Sequence, residues 1–424
     1  MKIFLDSIGC RLNQSEIERM AGQFRAAGHE IVSTPDQADL VVVNTCTVTA
    51  KAAADSRKQI RHAWRAGAAQ VVATGCWATL DPAGAAALPG VNRVVVNEEK
   101  ENLVAGILGL PAAEFDLEPL AREPLPGVHL RTRAFIKAQD GCDNHCTFCI
   151  TRVARGASRS RPIAEVIRDV RRAQEGGVKE VVLTGVQIGS WGQDFETPRG
   201  LADLLEAVLS KTDIPRLRLS SLEPWDLGSR FFDLWHEARL CRHLHLPLQS
   251  GARGTLRRMA RKTTPEEYAA LLERARKVSP AIAVTTDIIA GFPGETEADF
   301  EESLAFVKRM EFAAGHVFTY SPREGTPAAG YPDQIDLQRK KERNAAFRQV
   351  LSESAERYRE QFIGQTMPVL WEASDSLGPD GWQLKGLTDN YLRVTAAAPQ
   401  PLWNQISAVR LKALTSGGLK GILA

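Results

Sequence analysis

The sequence predicts an α/β protein in three parts: an N-terminal doubly wound parallel α/β domain, a central partial α/β barrel and a small C-terminal OB-like β-barrel. Three observations carry this. Short runs rich in Val, Ile and Leu alternate with helix-like stretches from Lys2 to Tyr320. Three cysteines in the first part each fall just past a strand end. Beyond Gly364 the pattern changes to short β runs broken by Gly, Pro and Asp. The expected division is 1–112, a linker at 113–128, then 129–362 and 363–424, and a chain of 424 residues is long enough for two or three domains.

In the first part, Lys2–Asp6, Asp39–Val43, Gln70–Ala73 and Arg93–Val96 read as short buried strands. Helical patterns at Asn13–Ala27, Thr49–Arg65 and Asp81–Leu88 lie between them, the first with Ile17, Met20, Ala21 and Phe24 on one face and Gly28 as its stop. Strand and helix alternate, so the sheet is parallel, and ligands of such sheets sit outside the carboxyl ends of the strands. Cys10, Cys46 and Cys76 fall at those ends. Two readings stand for them: three buried small hydrophobes, or three convergent thiolates holding a metal cluster.

The middle part opens with a strand at Ala134–Ala138 that leads into Gly141-Cys142-Asp143-Asn144-His145-Cys146-Thr147-Phe148-Cys149. Three thiolates so closely set can hold three corners of a cubane iron–sulfur cluster and leave one iron open to a ligand. Zinc is the alternative, although zinc sites built from such motifs usually pair two halves and only one is present. Further strands are expected at Glu180–Thr184, Arg216–Ser220, His243–Leu246, Ala283–Ile289 and His316–Tyr320. Helices are expected at Ile163–Glu175, Leu201–Ser210, Ser229–Arg239, Pro265–Val278 and Glu297–Met310. Barrel enzymes carry their chemistry on loops at strand carboxyl ends, which is where Cys142–Cys149 falls. His243 and His245 share a strand face and are expected to hydrogen-bond; Cys241 is expected to pack.

Two basic clusters stand out. Arg152, Arg155, Arg159 and Arg161 follow the cysteine loop, and Arg257, Arg258, Arg261 and Lys262 precede the Pro265 helix. Either suits a phosphate backbone or a carboxylate, and the first is expected to touch RNA. Net charge is only +2, so a nucleic-acid footprint must be local. A long helix is expected at Asp336–Phe362, followed by short strands at Pro368–Trp371, Trp382–Leu387, Tyr391–Thr395 and Gln405–Leu411. Trp371, Trp382, Tyr391 and Trp403 there serve either base stacking or the barrel core.

Hydrophobic residues make up 44% and charged residues 25%, which is ordinary for a folded protein. The apolar run at the N-terminus is cut short by Asp6, shorter than a secretory leader needs, and no run reaches transmembrane length. An odd seven cysteines without a leader argues against a disulfide framework. The expected setting is the reducing cytoplasm, with no membrane partner.

Taken together, these motifs resemble the radical SAM methylthiotransferases over essentially the whole chain. The resemblance implies that Cys142, Cys146 and Cys149 hold a [4Fe-4S] cluster whose open iron binds S-adenosylmethionine, and that Cys10, Cys46 and Cys76 hold an auxiliary [4Fe-4S] cluster. It implies SAM contacts from Phe148, Thr184, Gly185, Ser220, Glu223, Gln249 and Gly291, the last two in the loops Pro247–Gly251 and Gly291–Glu295. The C-terminal part resembles a TRAM domain, which implies RNA binding. Asn44–Thr49, Leu183–Val186, Arg218–Ser221 and Glu223-Pro224 look like the type that methylthiolates N6-threonylcarbamoyladenosine beside the tRNA anticodon. Gln187, where that type would have His, and Arg152, where Pro is usual, depart from it. Implied partners are tRNA and an external electron donor, flavodoxin-like or similar; the sulfur donor is not specified. Isopentenyl-adenosine in tRNA or a ribosomal-protein aspartate is the alternative target, and a non-catalytic Fe–S or zinc RNA-binding regulator is the alternative class.

Overall fold

A computed structural model describes residues 1–111 and 132–424; the expected linker at 113–128 lies outside the described residues. The chain forms two compact units. One comprises Met1–Asn144, Cys149–Gly177 and Leu183–Val186, the other His145–Phe148, Val178–Val182 and Gln187–Ala424.

The first unit is built on five parallel strands: β1 (Lys2–Ser7), β2 (Glu30–Ile31), β3 (Leu40–Thr45), β4 (Gln70–Gly75) and β5 (Val91–Val95), in the order β2-β1-β3-β4-β5. Every residue of β3 is buried, as expected of a central strand covered on both faces. Helix α1 (Arg11–Ala26) covers one face, packing Ile17, Met20, Ala21 and Phe24 on Ile3, Leu5, Leu40 and Val42. Helix α2 (Ala50–Arg65), capped by the Thr49 hydroxyl accepting from Ala52 N, covers the other with Ala53, Ile60 and Ala63. Helices on opposite faces make the sheet doubly wound. Three short helices follow: α3 (Cys76–Leu80), α4 (Pro82–Ala86) and α5 (Leu103–Leu108). Neither β2 nor α3 was expected, since two and five residues are too few for a periodic signal.

Strand β6 (Arg133–Lys137) leads to a two-stranded clasp, β7 (Gln139–Asp140) against β8 (Arg159–Ser160), which closes the base of the cysteine loop. Gly141 sits at that base with φ +69°, where a Cβ would lie 1.8 Å from the Ala157 carbonyl oxygen, so only glycine fits. Helices α6 (Thr151–Arg155) and α7 (Ile163–Glu175) complete the unit, together with the end of β9 (Glu180–Thr184), where Ala138 N donates to Thr184 O at 2.8 Å.

In the second unit, β10 (Arg216–Leu219) bridges in parallel to the segment of β11 (His243–His245) through Leu217–Leu240 and Ser221–His245. β11 pairs in parallel with β12 (Ala283–Ala290), and β12 with β13 (Ala314–Thr319). Between the strands come α8 (Leu201–Lys211), α9 (Ser229–Asp233), α10 (Arg253–Arg258), α11 (Pro265–Val278) and α12 (Glu297–Met310). The expected helix over Ser229–Arg239 stops at Asp233, with one further tight turn to His236. The sheet takes the remainder: Leu217 N donates to Arg239 O and Cys241 N to Leu217 O, at 2.7 and 2.8 Å.

The long helix α13 (Leu337–Glu360) leads into β14 (Thr366–Gly378), β15 (Gly381–Thr388), β16 (Arg393–Ala398), β17 (Ile406–Thr415) and β18 (Gly418–Leu423). These close into a barrel in the order β14-β15-β16-β18-β17, which leaves no free edge. Val369, Trp371, Leu384, Val394, Val409, Leu411 and Leu419 fill it. It is anchored on the strands of its own unit. Arg216 donates to Leu387 O and Pro368 O, Arg218 to Thr388 O and Asp389 O, and Arg242 forms a two-pronged pair with Asp389 at 2.6 and 3.0 Å.

Candidate functional site

Cys10, Cys46 and Cys76 occupy one edge of the first unit's sheet. Cys10 is the N-cap of α1, Cys46 follows β3, and Cys76 opens α3 directly after β4. Because β1, β3 and β4 are neighbours, parallel pairing carries all three thiols to the carboxyl end of the sheet. Gly9 makes room for this: with φ +107°, a Cβ on it would lie 2.5 Å from Cys46 Sγ. Burial pushes the Cys46 thiol up to about 11, and the neighbouring Cys10 and Cys76 thiols add to the rise. The three therefore share one electrostatic environment. Among the described residues no three His, Cys, Asp or Glu side chains gather into a cage for a single ion. What the site offers is soft sulfur donors beside cationic and amide groups, the donor set of a cluster whose thiolates bind separate irons.

Around these thiols lies a buried polar network. Asn13 Nδ2 donates to Ile8 O and Thr45 O at 2.8 and 3.0 Å, and its Oδ1 accepts from Cys10 Sγ at 3.7 Å. Asn97 Nδ2 reaches Cys76 Sγ at 3.7 Å and Ala154 O at 2.6 Å. Arg155 donates to Asn13 Oδ1 at 2.6 Å, Asp140 Oδ1 at 2.9 Å and Glu16 Oε1 at 3.0 Å. Lys100 meets Glu16 at 2.8 Å. Burial alone would raise the Glu16 carboxyl, but Arg155, Lys100 and Lys137 outweigh it and hold the group well below the usual range.

Arg155 was expected to face RNA; it is 2% exposed, and its guanidinium points inward to carboxylates. Arg161 is likewise engaged, with Asp169 at 2.9 Å and Lys137 O at 2.8 Å. Arg152 and Arg159 are exposed.

The cysteine loop is held by its backbone and by one threonine. In the first unit, Cys142 N donates to Gly156 O at 3.1 Å, and Asn144 N reaches Cys142 Sγ at 3.4 Å. In the second, Thr147 N donates to Met259 O, Thr147 Oγ1 to Arg258 O, and Thr147 O accepts from Ala328 N. Phe148 packs edge-on against Phe292, with ring centroids 6.4 Å apart. Arg261 then reaches Cys146 Sγ at 3.7 Å while gripping Glu223 with both arms (3.1 and 2.6 Å), donating to Pro247 O and stacking 4.5 Å over Trp225. The sequence placed Arg261 only in a basic cluster; its partners lie too far along the chain for spacing to reveal them. Arg257 and Lys262 line a surface groove of about 480 Å³ with Arg253, Thr263 and Glu267.

The other expected SAM contacts fall as follows. Thr184 ends β9 buried, and Gly185 packs on Gln139. Among the described residues the buried Ser220 hydroxyl has no hydrogen-bond partner. Glu223 is paired with Arg261. Gln249 adopts the left-handed region at φ +69°. Gly291 N donates to Glu295 Oε2 at 2.9 Å. The histidines hydrogen-bond, as expected: His243 and His245 both meet Thr285 Oγ1, and Asp287 joins His245 to His316. Gln187 Nε2 donates to Asp226 Oδ2 at 3.1 Å, and burial pushes the Asp226 carboxyl up to about 6. Cys241 is buried, its thiol pushed up to about 12 by that burial. Trp371 is core, and Tyr391 stacks on His243 with centroids 4.3 Å apart, so neither is offered to a base.

Two stretches match known families: residues 136–307 the Radical SAM superfamily and residues 2–97 uncharacterized protein family UPF0004. In fold the chain is similar to the radical S-adenosylmethionine methyltransferase TsrM from Kitasatospora setae (TM-score 0.59, 16% identity, 77% of each chain covered). It is also similar to the cobalamin-dependent radical enzyme OxsB (TM-score 0.51, 12% identity, covering 84% of this chain and 56% of that one). Identities this low speak for fold alone.

Sequence relatives are more specific. The threonylcarbamoyladenosine tRNA methylthiotransferase MtaB of Bacillus subtilis is 35% identical, over 97% of this chain and 93% of its own. The MtaB of Thermotoga maritima is 34% identical, over 98% and 95%. A tRNA-2-methylthio-N(6)-dimethylallyladenosine synthase of Bacillus velezensis is 32% identical, over 100% and 86%. The chain belongs to the radical SAM methylthiotransferase family.

Proposed function

We propose that this enzyme converts N6-threonylcarbamoyladenosine, 3′ of the tRNA anticodon, to its 2-methylthio derivative. The observation that carries the substrate is the 35% identity over 97% of the chain to the B. subtilis protein of that name. In this reading Cys142, Cys146 and Cys149 hold one [4Fe-4S] cluster, and Cys10, Cys46 and Cys76 hold the other. When bound, such clusters with SAM supply a carbon-centred radical and the sulfur to be transferred. The chain's own residues prepare the sites. Thr147 and Phe148 fix the backbone that presents Cys146, and Arg261 sets a cation beside its sulfur. The unpartnered Ser220 hydroxyl and the left-handed Gln249 support a SAM site at those strand ends. Arg152 and Arg159 remain as RNA contacts, the reductant is an external flavodoxin-like donor, and the four-part division at 112, 128 and 362 is retained.

Expression of this chain in a host lacking its own methylthiotransferases, followed by mass spectrometry of tRNA nucleosides, tests the reading. Methylthio-threonylcarbamoyladenosine should appear. Methylthio-isopentenyladenosine in its place would overturn the substrate, and the 32% relatives make that the informative alternative.

A further inference from the structure

The buried charges of the first unit converge on Arg155, which belongs to the helix that follows the cysteine loop and not to the sheet bearing Cys10, Cys46 and Cys76. Its guanidinium reaches Asn13 Oδ1 at 2.6 Å, and that oxygen accepts from Cys10 Sγ at 3.7 Å. The preceding residue is tied in similarly: Ala154 O accepts from Asn97 Nδ2 at 2.6 Å, and the same amide reaches Cys76 Sγ at 3.7 Å. Two thiols are thus each linked through one asparagine to the same short helix. Two carboxylates, Glu16 and Asp140, and two ammonium groups, Lys100 and Lys137, make up the rest of the buried charge around Arg155. Helix α6 opens at Thr151, directly downstream of Cys149, so the segment that ends one cysteine motif completes the surroundings of the other.

We propose that Arg155 is a positioning residue for the auxiliary site: it holds Asn13 in place beside Cys10 and sets a fixed positive charge that tunes the reduction potential of the cluster bound there. This rests on the reading of Cys10, Cys46 and Cys76 as cluster ligands. The physical ground is simple. A reduced cluster carries one more negative charge than the oxidised one, and charge and hydrogen bonding around the sulfurs set the potential. A guanidinium that is only 2% exposed is poorly screened. Glu16, at 3.0 Å from it, acts with the opposite sign.

The test uses the full-length chain carrying Cys142→Ala, Cys146→Ala and Cys149→Ala, reconstituted anaerobically, so that any cluster signal comes from the auxiliary site. Its midpoint potential is followed by EPR-monitored redox titration. Arg155→Gln should shift the potential downward, Arg155→Lys should stay near the parent, and Glu16→Gln should shift it upward. Opposite shifts from two partners of one ion pair are not what general loosening would give. A cluster that loads but keeps the parent potential in both Arg155→Gln and Glu16→Gln, or moves the same way in both, overturns the inference. Where Arg155→Gln fails to fold, Glu16→Gln decides, and an unmoved potential there overturns it too. If the parent with three alanines binds no cluster at all, the ligand reading itself fails, and that is a separate result.

Discussion

The two cysteine sites are built by opposite means. Cys142, Cys146 and Cys149 lie within one loop, whose base is closed by short-range devices, the β7–β8 clasp and the left-handed Gly141. Cys10, Cys46 and Cys76 come from three strand ends, and what surrounds them is long-range: Glu16 meets Arg155 across 139 residues of chain. The base of the loop can keep its shape as long as its own backbone does. The sheet-edge site depends on a charge network whose members each need the others, because an uncompensated buried ion is costly.

The contrast is sharpest in stability. Glu16→Ala leaves Arg155 and Lys100 without their shared carboxylate, and we expect a loss of about 3–5 kcal/mol, read by chemical denaturation. Arg230→Ala, which breaks surface pairs with Asp203 and Glu206, should leave the midpoint unchanged within error. Equal effects would mean that the buried network is no more than another set of surface pairs.

A smaller effect separates the second unit's polar groups from the first's. Burial raises the Asp226 carboxyl to about 6, above its unfolded value of about 3.9. The native state therefore holds this proton more tightly, and its ionisation costs stability above about pH 6. Asp226→Asn, which keeps an acceptor for Gln187, should be more stable than the parent at pH 8, with the advantage fading between about pH 6 and pH 4. A difference that does not vary with pH would contradict this assignment. For Glu16 the sign is reversed, since its lowered carboxyl stabilises the fold at neutral pH and loses that effect in acid.

Legibility in the sequence followed the range of the interactions. Helices α11 and α12 run as expected, Pro265–Val278 and Glu297–Met310, because each carries its own capping box, Thr264 with Glu267 and Thr296 with Asp299. The cysteine loop was visible because its ligand candidates are adjacent. The strand-end rule brings Cys10, Cys46 and Cys76 to one sheet edge, but their spacing alone does not distinguish packing from cluster ligation. In the sequence Arg155 and Arg261 are simply members of basic clusters, since nothing local distinguishes a guanidinium bound for Glu16 or Glu223 from one bound for a phosphate. The helix over Ser229–Arg239 was overextended because Arg239–Cys241 are recruited by Leu217, a partner that periodicity cannot show.

The central claim of the proposal is that the site at Cys142, Cys146 and Cys149 generates the radical while the site at Cys10, Cys46 and Cys76 holds the sulfur, and Cys10→Ala tests it most directly. Reconstituted with reductant and SAM, this variant should still form 5′-deoxyadenosine but insert no sulfur into threonylcarbamoyladenosine-containing tRNA. Loss of both activities in a folded protein that retains the cluster at Cys142, Cys146 and Cys149 would contradict it.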